Sequence, residues 1–316
     1  MKKGSLLNKA VFSLAAICII AVVFPVFNLN EKYNYPEGKR LAPGKIIKLL
    51  GKEVHYVEYG EGEPVIFIHG FLYNTVMWQG QFASFAEKYK VYAIDLFGFG
   101  YSERRAVDEY SFKMFSDQII HFMDAMTMPR AILVGQSMGA GTSVYLAASQ
   151  PDRVKALVLV APAVLPYESS LASKIYELPL LGEFLNSIPG GGLIRSNIEN
   201  IWFYDKSKVT DDYFRKILEP LQIKGSSDSL LYILRNVLKP PFLQKEAEKV
   251  KIYRKPTLIV HGADDPAVPV EKAHELAKLW PWAKLLVYEK ARHSPHEEYP
   301  VRFNQQALDF LSKVGN

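Results

Sequence analysis

Six short, largely apolar runs recur along the chain: VIFI from 65, VYAI from 91, AILV from 131, ALVLV from 156, TLIV from 257 and KLLVY from 284. No other feature restricts the fold as much. Apolar runs without polar alternation are what strands show when both faces of their sheet are covered, as in parallel sheets. Helical spacing fills the intervals. In SFKMFSDQIIHFMDAM, from 111, apolar residues fall at Phe112, Phe115, Ile119, Phe122, Met123 and Met126, along one helix face. Strands alternating with helices give an α/β, doubly wound, mostly parallel sheet. Upstream, GKIIKLLGKEVHYVEYG reads as two strands joined by a turn at Gly51–Lys52.

One interval breaks the rhythm. About 95 residues separate Val160 from Thr257, whereas a parallel crossover needs only about a dozen. The excess predicts a helical cap inserted over residues 163–250, with apolar and aromatic stretches such as SKIYELPLLGEFLNSI and SLLYILRNVL. The α/β core then comprises 44–162 and 251–316, and residues 1–43 form a separate N-terminal part.

That N-terminal part raises a membrane question. Residues 10–27, AVFSLAAICIIAVVFPVF, carry no charge and follow Lys2, Lys3 and Lys9. A secretory signal has an apolar core of about 7–15 residues, whereas a spanning helix needs about 17–25. No small-x-small cleavage site follows at Phe24–Phe27, and bulky Ile17 precedes Cys18 where a lipoprotein site needs a small residue. The reading is a single-pass transmembrane helix with its N-terminus inside, a polar linker over 28–43, and a catalytic domain outside the cytoplasm; the alternative is a cleaved signal and secretion. A net charge of +5 without a basic cluster argues against nucleic acid as a partner. The single cysteine excludes a disulfide framework and a thiolate metal site.

Chemistry enters at ILVGQSMGAG, 132–141, where a buried strand runs into a serine between small residues. A Gly-x-Ser-x-Gly match arises by chance in about one such chain in ten, so context decides. A strand precedes Ser137 and a helix, MGAGTSVYLAASQ, follows it. A sharp strand-to-helix turn of this kind lifts a hydroxyl above the sheet as a nucleophile. A serine needs a base, and the base an orienting acid. TLIVHGADDPAVP puts Asp264 and Asp265 past one later strand, and KLLVYEKARHSPHEEYP puts His293 past the next, with His296 as the rival base. His55, His121 and His274 read as ordinary strand or helix residues. The developing oxyanion requires amide donors. Met138 follows the nucleophile, and Phe71 in VIFIHGFLYN stands after an early strand, with His69 bracing that loop. Tyr73 and Trp78, just beyond, are candidates for the wall of the substrate pocket, with packing the competing role for Trp78.

Together HGF at 69, DLFGFGYS at 95, GQSMG at 135, GADDPAVP at 262 and HSPHEEYP at 293 resemble the α/β-hydrolase fold family in its capped form, over about 44–313. The resemblance selects Asp265 over Asp264 as the acid and His293 as the base. It implies a mainly structural role for the Asp95 loop. Serine at the elbow, where dehalogenases and epoxide hydrolases of this fold carry aspartate, implies acyl transfer. The expected activity is ester hydrolysis without metal or organic cofactor, on a small lipophilic substrate such as a monoacylglycerol, by a Ser137–His293–Asp265 triad with Phe71 and Met138 as the oxyanion hole. A diffuse similarity to membrane-bound monoacylglycerol lipase-type hydrolases points the same way. Thioester, amide or carbon–carbon bond hydrolysis are the alternatives within the fold; the Gly-Pro-Gly usual in the early loop of ring-fission hydrolases is missing from HGFLYN. The alternative outside catalysis is a ligand-binding protein of the same fold.

Overall fold

The computed structural model describes residues 31–167, 178, 191–239 and 243–314. Eight strands form one sheet in the order β1-β2-β4-β3-β5-β6-β7-β8. They are β1 (Lys45–Leu49), β2 (Lys52–Tyr59), β3 (Glu63–Ile68), β4 (Tyr89–Ile94), β5 (Ala131–Gln136), β6 (Val154–Val160), β7 (Thr257–Gly262) and β8 (Lys284–Tyr288). From β4 to β8 every neighbour pair is parallel. β1 and β2 are antiparallel to each other, and β2 to β4. All six apolar runs of the sequence are strands. The β1–β2 turn uses Leu50 and Gly51, with φ 50° and 78°, one residue earlier than the sequence suggests. Two successive positive φ values match the right-handed twist of a tight hairpin.

The α-helices are α1 (Tyr35–Gly38), α2 (Gln79–Ala86), α3 (Phe112–Ala125), α4 (Met138–Ser149), α5 (Gly191–Asn197), α6 (Asp211–Leu221), α7 (Ser226–Asn236), α8 (Gln244–Tyr253), α9 (Val270–Leu279), α10 (Pro295–Glu298) and α11 (Pro300–Leu311). The amphipathic helix expected from 111 is α3. Ser111 caps it by accepting from Met114 N at 3.1 Å, and Phe112, Phe115, Ile119, Phe122 and Met123 are buried as its spacing requires. Only Met126 falls outside, as the residue that ends the helix. β5 and β6 are buried along almost their whole length, since α4 covers them.

Between β6 and β7 the described residues form α5, a π-helical turn at Ile198–Trp202, α6, α7 and α8. α8 falls inside the 163–250 range expected for the cap, but it packs on α4 and α9, and Trp280 Nε1 donates to Ala247 O at 2.9 Å. It packs against helices of the core.

The apolar segment 10–27 lies outside the described residues. Among the described residues no helix is long and apolar enough to cross a membrane. The stretch expected as a linker is held in place from residue 31 onward. Glu31 accepts from Gly225 N at 3.0 Å and Ser227 N at 2.8 Å, Lys32 N donates to Gln222 O at 2.8 Å, and Lys224 N donates to Tyr33 O at 2.9 Å. Its polar residues bond to the turn between α6 and α7, a contact that no local pattern announces.

Candidate active site

Ser137 is the one residue between β5 and α4. Its φ of 51° and ψ of −112° lie in a region that side chains rarely adopt, at a cost of about 1–3 kcal/mol. The surroundings hold it there. Ser137 N donates to Val160 O at 2.9 Å, and its carbonyl accepts from Gly141 N at 3.0 Å. A Cβ at Gly135 would collide with the Gly139 carbonyl, and one at Gly139 with the Ile68 and His69 carbonyls. The lack of bulk around the serine therefore follows from three backbone segments crossing within contact distance. Met138 opens α4, so its amide has no partner within the helix and points with the positive end of the helix dipole.

Asp265 and His293 stand past β7 and β8. His293 Nδ1 donates to Asp265 Oδ2 at 2.8 Å. The other carboxylate oxygen accepts from Ala267 N at 2.8 Å and Val268 N at 3.0 Å. Burial pushes the Asp265 pKa up, but His293, His261 and these bonds outweigh it and hold the carboxyl below the ordinary range. Asp264, its neighbour, is exposed. His261 is a contributor that sequence reasoning passed over. Its Nε2 lies 2.9 Å from Val268 O and 3.2 Å from Asp265 Oδ2. The signal was available in HGADD, a histidine four residues before the acid at a strand end.

The His293 loop is fixed from two sides. Gln136, directly before Ser137, donates through Nε2 to His293 O at 3.0 Å, which brings the serine and histidine loops together. From the inserted segment, Ile201 O accepts from His293 N at 3.3 Å and Trp202 O from Ser294 N at 3.0 Å. Glu298 then spans both, accepting from Arg292 N at 2.6 Å and from Tyr204 N at 2.7 Å. The Trp202 ring stands edge-on to His293 at 6.1 Å. Gln136, Trp202 and Glu298 were not singled out in the sequence, because their role lies in contacts across more than 90 residues. Among the described residues, neither Ser137 Oγ nor His293 Nε2 is held by another group.

The loop after β3 supplies the third side. His69 donates from Nδ1 to Gly70 O at 2.7 Å and accepts at Nε2 from Leu96 N at 3.0 Å. Burial lowers its pKa, so the ring is neutral and braces the loop, as expected. Phe71 is half-buried, its ring edge-on to Phe99 at 5.9 Å. Tyr73 is buried beside Trp202 at 5.4 Å. Trp78 lies inside the core between Phe67 and His296, at 4.9 and 4.5 Å; it packs and does not join the serine. His296, the rival base, is fully buried with neither ring nitrogen hydrogen-bonded. Burial, with His293 nearby, lowers its pKa to about 3, which leaves a neutral ring that accepts no proton at ordinary pH. His121 and His274 are exposed on helices. Asp95 is occupied with His55, Thr75 N and Tyr101 N at 2.7, 2.7 and 2.8 Å. Among the described residues no group of three or more His, Cys, Asp or Glu is placed to hold a metal ion.

A strained serine at a helix N-terminus, with a histidine held by a buried carboxylate in a loop tied to the residue before the serine, is suited to nucleophilic acyl transfer. Comparison with known proteins agrees at the level of fold. A family model described as alpha/beta hydrolase fold matches residues 63–189 and 205–300. The 2-hydroxymuconate semialdehyde hydrolase of Pseudomonas sp. (strain CF600) is 26% identical over 296 residues, covering 90% of this chain and 98% of that protein. The 2-hydroxy-6-oxo-6-phenylhexa-2,4-dienoate hydrolase of Comamonas testosteroni is 28% identical, covering 82% and 91%. Among solved structures, a meta-cleavage product hydrolase (CumD) from Pseudomonas fluorescens IP01 superposes with a TM-score of 0.72 at 28% identity, over 86% of this chain and 98% of the other.

Proposed function

We propose that this chain, which belongs to the alpha/beta hydrolase fold family and is an enzyme of that fold, is a serine hydrolase that cleaves carboxylic esters through an acyl-enzyme. The observation that carries this reading is the 2.8 Å bond from His293 Nδ1 to Asp265 Oδ2, in a loop tied to the residue preceding Ser137. In the proposed reaction His293 Nε2 takes the proton of Ser137 Oγ as the oxygen attacks the ester carbonyl. Asp265 fixes the tautomer and stabilises the imidazolium, and the Met138 and Phe71 amides bind the oxyanion. The alcohol leaves with the proton from His293, and a water deprotonated by the same nitrogen releases the acid.

Lipophilic acyl groups, such as those of monoacylglycerols, are the preferred substrates in this reading. Phe71 and Trp202 beside the site support an apolar acyl chain. The uncharged segment at 10–27 supports a membrane anchor, with the catalytic domain outside the cytoplasm. Since Glu31 and Lys32 bond to the α6–α7 turn, such an anchor leaves the domain on its inserted side, and a cap of about 163–250 would face the lipid.

A second reading has its own support. Relatives named for hydrolysis of 2-hydroxymuconate semialdehyde and of an oxo-phenylhexadienoate match more than four-fifths of the chain. Carbon–carbon bond hydrolysis of such vinylogous acids uses the same nucleophile position.

The test is a substrate panel: p-nitrophenyl and glyceryl esters of graded length, and 2-hydroxy-6-oxo-dienoates, with Ser137→Ala as control and a fluorophosphonate probe for labelling. Turnover of esters, rising with acyl length and lost in Ser137→Ala, is expected. Turnover of the dienoates alone would replace the ester reading with the second. No labelling of wild type would remove both.

A further inference from the structure

Behind the proposed catalytic histidine lies a buried polar cluster that the reaction does not use. Glu297 sits on the short helix α10, four residues after His293. Its Oε1 accepts from the Tyr213 hydroxyl on α6, and that hydroxyl is 3.4 Å from the hydroxyl of Tyr73, on the loop that carries Phe71. The Ser294 hydroxyl lies beside both Tyr73 and Glu297, without a well-aligned hydrogen bond. The second carboxyl oxygen of Glu297 is buried and has no hydrogen-bond partner. Asn74 adds a parallel tie, donating from Nδ2 to Lys216 O on α6 at 3.0 Å. Three segments thus meet at one carboxyl group: an inserted helix, the oxyanion loop and the histidine loop.

The charge state of that group follows from its surroundings. The titratable groups facing it are Tyr213 from α6, Tyr73 from the loop after β3, and Glu298 and His296 on its own helix, with His293 just upstream. Among the described residues no lysine or arginine contributes to its shift. A buried carboxylate with one hydroxyl donor and no cation is costly, and such a group stays protonated instead. Burial and the neighbouring Glu298 push its pKa up to about 8, against the opposing bond from Tyr213 and the nearby Ser294 hydroxyl.

We propose that Glu297 is a positioning residue that, as the neutral acid, clasps α6 through Tyr213 to the Tyr73 loop and to the loop bearing His293, and that its ionisation releases the clasp. Ionisation strengthens the single bond from Tyr213 but leaves the second oxygen, which has no partner, as part of a buried anion; that oxygen must recruit water, and the groups that surround it are the ones that seat the inserted helix and both loops. The consequence for turnover rests on the serine-hydrolase reading above; the protonation of Glu297 does not.

Two measurements test it on the full chain. The first is infrared spectroscopy of wild type and Glu297→Gln. A protonated-carboxyl band is expected at pH 7 in wild type, gone at pH 9.5 and missing from Glu297→Gln. Alongside it, thermal unfolding supplies a sign. The folded state holds a proton that the unfolded state releases near the ordinary carboxyl value of 4.5, so wild-type Tm relative to Glu297→Gln falls as pH rises from 4.5 to about 8 and is flat above. The second is the pH profile of p-nitrophenyl ester hydrolysis. A histidine base makes kcat rise with pH and level off; wild type is expected to fall again above pH 8 by about fivefold or more, with KM changing less. Glu297→Gln, which keeps a neutral partner for Tyr213, should show no fall, while Glu297→Leu should be depressed at every pH. A wild-type spectrum without a band that Glu297→Gln removes overturns the proposal. So does a rate profile identical in wild type and Glu297→Gln. Should no ester be hydrolysed, the ester reading fails, and the band and the Tm difference still decide the clasp.

Discussion

His55 with Asp95 towards one edge of the sheet, and His293 with Asp265 towards the other, are hydrogen-bonded pairs of almost the same length, 2.7 and 2.8 Å. Both are buried. What differs is the second ring nitrogen. His55 Nε2 meets the Pro43 carbonyl, so both its nitrogens donate and the ring is a cation with nothing left to give. Burial pulls its pKa down, but Asp95 outweighs burial and the net shift is upward. Asp95 is equally occupied, by Thr75 N and Tyr101 N. His293 spends only Nδ1 on its acid and keeps Nε2 for a proton. The same pair of side chains is a structural joint when every atom is engaged, and suits the proposed proton transfer when one atom is left over.

The largest effect should come from the side with the atom left over. Ser137→Ala or His293→Ala is expected to lower kcat by about 10⁴–10⁶-fold, with thermal unfolding close to wild type. Residual ester turnover within tenfold of wild type in either variant would break the assignment. On the other side, His55→Ala should leave the rate per folded molecule within a few-fold and cost stability instead.

The two acids sharpen the contrast. Asp265→Asn loses the orienting charge and should cost about 10⁴-fold in kcat by analogy with other triads. Asp95→Asn leaves a buried His55 without its counter-charge and should cost about 3–5 kcal/mol in denaturant unfolding, with the kcat of the folded fraction kept. Equal kinetic damage from both would mean that the Asp95 loop takes part in the chemistry.

A smaller, pH-dependent difference follows from the raised His55 pKa. That contribution to stability is fully present below about pH 6.5 and is lost as pH rises through the folded pKa. The depressed Asp95 contributes above its unfolded value near 3.8 and loses that as pH falls. A Tm–pH curve of His55→Gln that declines at alkaline pH as steeply as wild type, measured in a Glu297→Gln background, would contradict the charged state of His55.

The smallest effect is reserved for the neighbour of the proposed acid. Asp264→Ala removes an exposed carboxylate and should change stability by no more than about 0.5 kcal/mol, with ester kinetics near wild type. A loss larger than that of Asp265→Ala would shift the assignment by one residue.

Much of this was legible from local pattern. Apolar runs and helical spacing depend on neighbours two to four residues away, so β3 to β8 and α3 could be read directly. The glycines around Ser137 and the order Ser137, Asp265, His293 could be read because each functional residue directly follows its own strand. Other features needed distance. That Asp265 and not Asp264 faces His293 depends on which way one turn points, and sequence pattern settled it only through resemblance. The polar stretch from 31 looks like a linker because its partners, Gln222 to Ser227, are some 190 residues away. α8 looks like cap because its helical pattern does not say which helices it will cover.

The sequence by itself determined the sheet, the sharp turn at the serine and the identities of the groups proposed to attack, accept a proton and orient. Those properties belong to a residue and its near neighbours along the chain. Only the tertiary structure decided which of two buried histidine–aspartate pairs keeps a free nitrogen, that His296 is sealed against Trp78 and Phe303, and that Glu297 meets Tyr213 and Tyr73. The physical reason is that burial and partnership set the charge of a titratable group, and both are properties of the space that distant segments close around it.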